Sequence, residues 1–184
     1  MTTRARWLRD TSRTTKIVSS AAAAALVAAL VWLAGSGSGS AATPRALPVA
    51  RNFTLRALGD PGQEITLARY AGEPVIVNFF ASWCTPCQRE TPVLARFYRD
   101  SGGRTAIIGV DGNDQTASAL RFVQRAGVTY PVGSDPYPAA TTISWGVDAL
   151  PQTFFLDSRH RIVKRVFGAV TMKDLTAGVA LMRR

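Results

Sequence analysis

Cysteine and histidine are scarce in this chain: its 184 residues include two cysteines, Cys84 and Cys87, and one histidine. A structural zinc site needs about four such ligands, so the sequence excludes one in practice. Gln88 follows the second cysteine, which excludes the C-x-x-C-H pattern of c-type haem attachment. We therefore predict no metal and no bound cofactor, and we expect the single His160 to be a solvated residue in a turn.

Acidic residues are also few, and the net charge is +10. The excess is concentrated near the amino terminus, because beyond Arg51 fifteen Lys and Arg face eleven Asp and Glu, a balance of +4. No dense basic run with interleaved aromatic residues occurs there. This distribution argues against nucleic-acid binding.

The amino-terminal region has the pattern of a membrane-targeting segment. Residues 1–16 are basic, and the eighteen residues Ile17 to Ala34 carry no charge, which is long enough to span a membrane. The segment predicts either an uncleaved anchor, with the basic flank in the cytoplasm, or a signal cleaved near Ala42. A Gly/Ser-rich and then Pro-containing linker (35–51) follows, and we expect one exported domain over residues 52–184.

The domain alternates between strand and helix patterns. A hairpin is predicted from Phe53, followed by two buried strands, two helices, a short strand, a short helix, a closing strand pair and a last helix. One predicted helix, Asp114 to Ala126, has an expected core stripe of Ala117, Leu120, Val123 and Ala126. The order predicts an α/β fold with a central mixed sheet flanked by helices.

The two cysteines form the sequence WCTPC, between the predicted buried strand Pro74 to Ala81 and the predicted helix Thr85 to Asp100. The amino end of a helix has free N–H groups and a positive dipole end, which stabilise a thiolate on Cys84. We expect Cys84 to be the exposed, attacking thiol and Cys87 to be covered by the helix, near enough to attack a mixed disulfide formed by Cys84. Pro86 suits the first helical turn. A purely structural disulfide is the alternative, but so short a ring constrains the unfolded chain little.

The segments FFASWCTPCQRETP and LPQTFFLD resemble the thioredoxin superfamily, and within it the exported TlpA/ResA/CcmG (DsbE)-like oxidoreductases. The resemblance covers Asn52 to Arg184 and implies a thioredoxin-like fold with an amino-terminal hairpin and a central insertion between Val110 and Pro151. It also implies an extracytoplasmic reductase of disulfides in exported proteins, apocytochrome c among them. Such a reductase would draw electrons from an integral membrane thiol donor.

The same resemblance implies roles for several residues. Pro151 matches the cis-proline beside the cysteines, Leu150 would offer backbone bonds to an extended substrate, and Trp83 would cover the sulfurs. Pro92 matches the proline within the active-site helix. Glu90 matches an acid that raises the pKa of Cys84 and relays the proton of Cys87, unless it is simply a solvated residue of the first helical turns. Asn78 stands where thioredoxins carry a buried acid.

Three other functions remain open at this point. A disulfide-forming oxidase uses the same cysteines, but strong oxidases carry His where this chain has Pro86. A peroxiredoxin-like thiol peroxidase shares the fold, but carries Thr at the position of Ala81. A non-enzymatic binding module would not need an intact cysteine pair next to Glu90.

Overall fold

The computed structural model of the chain describes residues 47–183. The predicted cytoplasmic segment (1–16), the predicted anchor or signal (17–34) and most of the predicted linker lie outside the described residues. Within residues 47–183, no helix is long and apolar enough to cross a membrane.

A seven-stranded mixed sheet forms the centre of the domain, in the order β2-β1-β5-β4-β3-β6-β7. β3 pairs in parallel with β4 and β4 with β5, whereas β6 lies antiparallel to both β3 and β7. β3 lies between β4 and β6, and all six of its residues are buried, as its apolar run predicts. The strands are β1 Thr54–Ala57, β2 Asp60–Thr66, β3 Val75–Phe80, β4 Ala106–Gly112, β5 Val132–Asp135, β6 Gln152–Leu156 and β7 Ile162–Phe167.

Between residues 47 and 183, four α-helices and one 3-10 helix accompany the sheet. Two of the helices have local sequence signals at their starts: Cys84 is the N-cap of α1, and Thr171 forms a capping box with Asp174 at α4. The sequence analysis did not predict the 3-10 helix, Leu67–Tyr70. The helices are α1 Thr85–Asp100, α2 Thr116–Arg125, α3 Ala140–Ser144 and α4 Met172–Met182.

The core lies on both faces of the sheet. On one face Ile76, Phe80 and Phe155 pack with α1, α2 and α4, and both cysteines belong to this cluster. On the other face Phe79 and Phe154 pack against Trp145, with ring centroids 5.3 and 5.1 Å from the indole. The sheet is therefore the middle layer of three, and the predicted α/β class is confirmed.

Two details differ from the sequence analysis. α2 buries Ala119 and Phe122, whereas Ala117 of the predicted stripe is exposed and its other three residues are half-buried. The predicted stripe was therefore displaced by one residue, about 100° around the helix. Residues 48–50, at the end of the predicted linker, hydrogen-bond to the segment before β7: Ala50 N donates to His160 O, and Ile162 N to Pro48 O, both at 2.8 Å. The folded part described by the structure thus extends before Asn52.

Candidate active site

Cys84 and Cys87 form a disulfide at the junction of β3 and α1, with an S–S distance of 2.04 Å. Cys84 caps the helix, and its sulfur accepts a hydrogen bond from the backbone N–H of Cys87 at 3.2 Å. The same N–H group would stabilise a thiolate on Cys84 after reduction. Cys87 has no exposed surface and Cys84 is 4% exposed. Cys84 is thus less accessible than we expected, although it remains the more accessible of the two.

The turn before Cys84 is hydrogen-bonded to the loop that follows β4. Asp114 accepts hydrogen bonds from the backbone N–H and the hydroxyl of Ser82. Trp83 is 60% exposed, and its indole N–H donates to the carbonyl of Asn113 at 3.1 Å. The tryptophan is therefore fixed at the surface beside the disulfide by its polar edge.

Pro151 follows a cis peptide bond from Leu150, as the family resemblance implies. It is buried at the start of β6, and its carbonyl accepts a hydrogen bond from Gly168 N at 2.9 Å. Leu150 is half-buried and packs against both core clusters. Its expected backbone bonds to a substrate remain a prediction.

Glu90 is buried, with 1% of its surface exposed, so the solvated interpretation is wrong. Its carboxyl accepts two hydrogen bonds of 2.8 Å, from Asn78 Nδ2 on β3 and from the backbone N–H of Val170 before α4. Burial raises its pKa from 4.5 to about 7, although the two hydrogen bonds act in the opposite direction. Glu90 is three residues beyond Cys87, one helical turn, so the two lie on the same side of α1.

The family model for redoxins ("Redoxin") matches residues 42–178, which include all the residues of this site. The chain belongs to the redoxin family. Its fold agrees with that of a thiol:disulfide interchange protein of the thioredoxin family from Chlorobium tepidum. The two agree with a TM-score of 0.67 at 21% identity, over 76% of this chain and 99% of the other.

Two curated relatives share more sequence with this redoxin. It is 37% identical over 145 residues to the thiol:disulfide interchange protein CycY of Rhizobium leguminosarum, covering 78% of this chain and 71% of the relative. It is 39% identical over 111 residues to the thiol:disulfide interchange protein DsbE of Xylella fastidiosa strain Temecula1, covering 60% of this chain and 55% of the relative. The match thus spans little more than half of the Xylella protein.

Asn78 joins three elements behind the disulfide of this redoxin. Its Nδ2 donates both to Glu90 and to Thr153 Oγ1 on β6, the latter at 3.0 Å. Its Oδ1 is buried and accepts no hydrogen bond from residues 47–183. A protonated Glu90 needs a hydrogen-bond acceptor. Rotation of the Asn78 amide by half a turn would place Asn78 Oδ1 opposite Glu90 and supply that acceptor. The pair can therefore accommodate Glu90 in either protonation state.

The sequence analysis missed a second polar network, which surrounds the cis-proline segment. Gln152 is buried; its Nε2 donates to Asp148 Oδ1 at 3.0 Å, and its Oε1 accepts from Arg165 Nε at 2.8 Å. Arg165 also donates to the carbonyl of Gly146 at 2.7 Å, and its guanidinium stacks on the ring of Phe154. Local patterns contain no signal for this network, since Arg165 is thirteen residues from Gln152 on a separate strand.

His160 lies in a turn as expected, but it is not fully solvated. It is half-buried, has a positive φ of 54°, and its Nε2 lies 3.0 Å from the carbonyl oxygen of Tyr70. The residue connects the β6–β7 turn to the 3-10 helix. It lies in a different part of the domain from the cysteines and has a structural role. Among residues 47–183, no group of three or more His, Cys, Asp or Glu side chains could hold a metal ion.

Proposed function

We propose that this redoxin is an extracytoplasmic thiol–disulfide oxidoreductase that reduces disulfides in exported proteins. The observation that carries the proposal is the arrangement at Cys84 and Cys87. Their disulfide caps α1 just after β3, Pro151 precedes β6, the strand paired with β3, and Glu90 is buried one helical turn beyond Cys87. The curated relatives described above are named thiol:disulfide interchange proteins, which supports the same class of reaction.

In the proposed reaction the reduced protein supplies two electrons. The Cys84 thiolate attacks one sulfur of a client disulfide, forms a mixed disulfide and releases the other client sulfur as a thiolate, which takes up a proton. Cys87 then loses its proton to Glu90 and attacks Cys84. This step forms the Cys84–Cys87 disulfide and releases the second client thiol.

Glu90 supports the reducing direction. An oxidase gains its driving force from a strongly stabilised thiolate in its reduced form. A carboxylate behind the cysteines opposes that thiolate by like-charge repulsion, so it favours the disulfide and makes the dithiol a better electron donor. With a pKa of about 7, Glu90 has this charge in part of the molecules at neutral pH.

The direction is tested by the reduction potential of the Cys84–Cys87 couple, measured by equilibration with glutathione and with thioredoxin. A value at or below about −230 mV agrees with a reductase, and a value near about −120 mV, that of a strong oxidase, would contradict the proposal. Reduction of insulin in the presence of dithiothreitol separates an enzyme from a binding module, because only an enzyme accelerates it.

Titration of Cys84 tests the part assigned to Glu90. Glu90→Gln keeps the shape of the side chain, removes the charge and should lower the pKa of Cys84 and slow release of the mixed disulfide. Alkylation rates of the reduced protein as a function of pH measure the first effect. Identical profiles for the variant and the wild-type protein would show that Glu90 does not act on Cys84.

The membrane attachment and the partners also belong to the proposal. Residues 17–34 would tether the domain on the extracytoplasmic side, near an integral membrane thiol donor, and apocytochrome c would be among the clients. Because both would be attached to the same membrane, tethering raises the effective concentration of the donor around the domain. Fractionation of a chain with a carboxy-terminal epitope tests it: a released product starting near Thr43 would remove the anchor but leave export intact.

A further inference from the structure

Asp111, at the end of β4, is a buried acid that the proposed reaction does not use. Only 1% of its surface is exposed, and neither carboxyl oxygen accepts a hydrogen bond from any residue within 47–183. Burying an ionised carboxylate without a donor is costly, so such groups usually become neutral. The neutral form, however, has a proton to donate and needs an acceptor.

Asp114 offers that acceptor, because its carboxyl lies within hydrogen-bonding reach of Asp111. Asp114 itself is surrounded by donors: Ser82 N and Ser82 Oγ on the turn before Cys84, and the backbone N–H of Gln115 at 2.6 Å. Two carboxyl groups this close form a hydrogen bond only if one of them carries a proton, and the group without other donors is Asp111.

The other charged group near Asp111 is Asp135, at the end of β5. Asp135 accepts hydrogen bonds from the backbone N–H groups of Thr141 and Thr142 and from the Thr142 hydroxyl. Burial, and the charges of Asp114 and then Asp135, raise the pKa of Asp111 to about 8. The surroundings therefore agree with the geometry: all the charges that act on Asp111 are negative and favour its neutral form.

We propose that Asp111 is a positioning residue for the cysteine pair: it carries a proton and donates it to Asp114, which in turn holds the Ser82 turn that presents Cys84. The hydrogen bond aligns the Asp114 carboxylate with Ser82. When Asp111 loses its proton, two adjacent carboxylates repel each other and the support of this turn weakens. This role deepens the proposed thiol–disulfide exchange and rests on it.

The test compares two substitutions of Asp111 in the full-length chain. Asp111→Asn retains a donor toward Asp114 at every pH, whereas Asp111→Leu has none. The readout is the rate at which the reduced protein reacts with a small aromatic disulfide. In that reaction Cys84 forms a mixed disulfide and Cys87 resolves it, so that two aryl thiols are released. Asp100→Asn, an exposed acid at the end of α1, is the matched control.

At pH 6 we expect Asp111→Asn to react within twofold of the wild-type rate and Asp111→Leu to react about tenfold more slowly, a loss typical of small displacements of a reacting group. At pH 9 the wild type should slow relative to Asp111→Asn, because only the wild type gains a charge at this position. Glu90 titrates in the wild type and in both Asp111 variants. Its effect on the rate therefore cancels when the rate of a variant is divided by the wild-type rate at the same pH.

Infrared spectroscopy tests the proton directly and does not depend on the reaction. Glu90 is a second buried carboxyl with a raised pKa, so the spectra are recorded in the Glu90→Gln background. There a carbonyl band of a buried protonated carboxylic acid should be present at pH 6, disappear around pH 8, be absent when Asp111→Asn is added and be unchanged when Asp100→Asn is added. A band that persists in the Glu90→Gln, Asp111→Asn protein, or a constant ratio of wild-type to Asp111→Asn rates from pH 6 to pH 9, would overturn the proposal. Failure of the wild-type protein itself to react would instead contradict the proposed function.

Discussion

Replacing Glu90 with glutamine should remove most of the pH dependence of stability that arises at this site. In the folded state the pKa of Glu90 is raised from 4.5 to about 7, chiefly by burial. The folded protein therefore holds this proton at pH values where the unfolded chain has lost it. For a carboxyl group with a raised pKa, stability is highest below pH 4.5 and decreases as the pH rises toward 7.

The magnitude follows from the two pKa values. At about 1.4 kcal/mol for each pH unit, a rise from 4.5 to about 7 lowers the free energy of unfolding by about 3 kcal/mol between acid and pH 7.5. The glutamine of the Glu90→Gln variant would have no charge to lose. Its amide can accept from Val170 N and, once the Asn78 amide turns, donate to the buried Asn78 Oδ1 that accepts no bond within residues 47–183.

The assay is urea unfolding of the oxidised protein at pH 5, 6, 7 and 8. Glu90→Gln should match the wild type within about 1 kcal/mol at pH 5 and exceed it by about 3 kcal/mol at pH 8. Glu64→Gln, an exposed carboxylate on β2, controls for the loss of a negative charge. Asp111 titrates in both proteins and cancels from the difference. Parallel curves of unfolding free energy against pH for Glu90→Gln and the wild type would show that folding does not raise the pKa of Glu90.

Three further predictions concern the cysteines, the cis-proline network and helix packing. Cys87→Ser should accumulate mixed disulfides through Cys84, visible on non-reducing gels, and equal trapping by Cys84→Ser would reverse the assignment. Arg165→Ala should lower the free energy of unfolding by about 2 kcal/mol in urea, because it leaves the buried Gln152 oxygen without its donor; a change below about 0.5 kcal/mol would contradict this. Gly178→Ala should lower the free energy of unfolding by about 1–3 kcal/mol, because its Cβ would overlap the Phe155 ring; unchanged thermal unfolding would show that α4 can move away.

Sequence patterns predicted the elements whose signals are local. The apolar run of β3 and the WCTPC motif each occupy a few consecutive residues, and they indicated the buried strand and the reactive pair, while the alternation of strand and helix patterns indicated the fold class. The cis form of Pro151 followed from its family motif. The strand and helix patterns depend on hydrophobic periodicity and on residues that are close in sequence. They are therefore visible without knowledge of the tertiary structure.

Tertiary packing, in contrast, sets which polar residues are buried and what they contact. Glu90 could have been a solvated helix residue, but packing of β3 and of the segment before α4 encloses it with Asn78 and Val170. The predicted stripe of α2 was wrong because the buried side of a helix depends on where the sheet lies. Asp111 and Asp114 acquire a shared proton only because β4 ends behind the Ser82 turn, 32 residues before Asp114. Burial and contacts between distant segments set these pKa values, and neither is written in any short stretch of sequence.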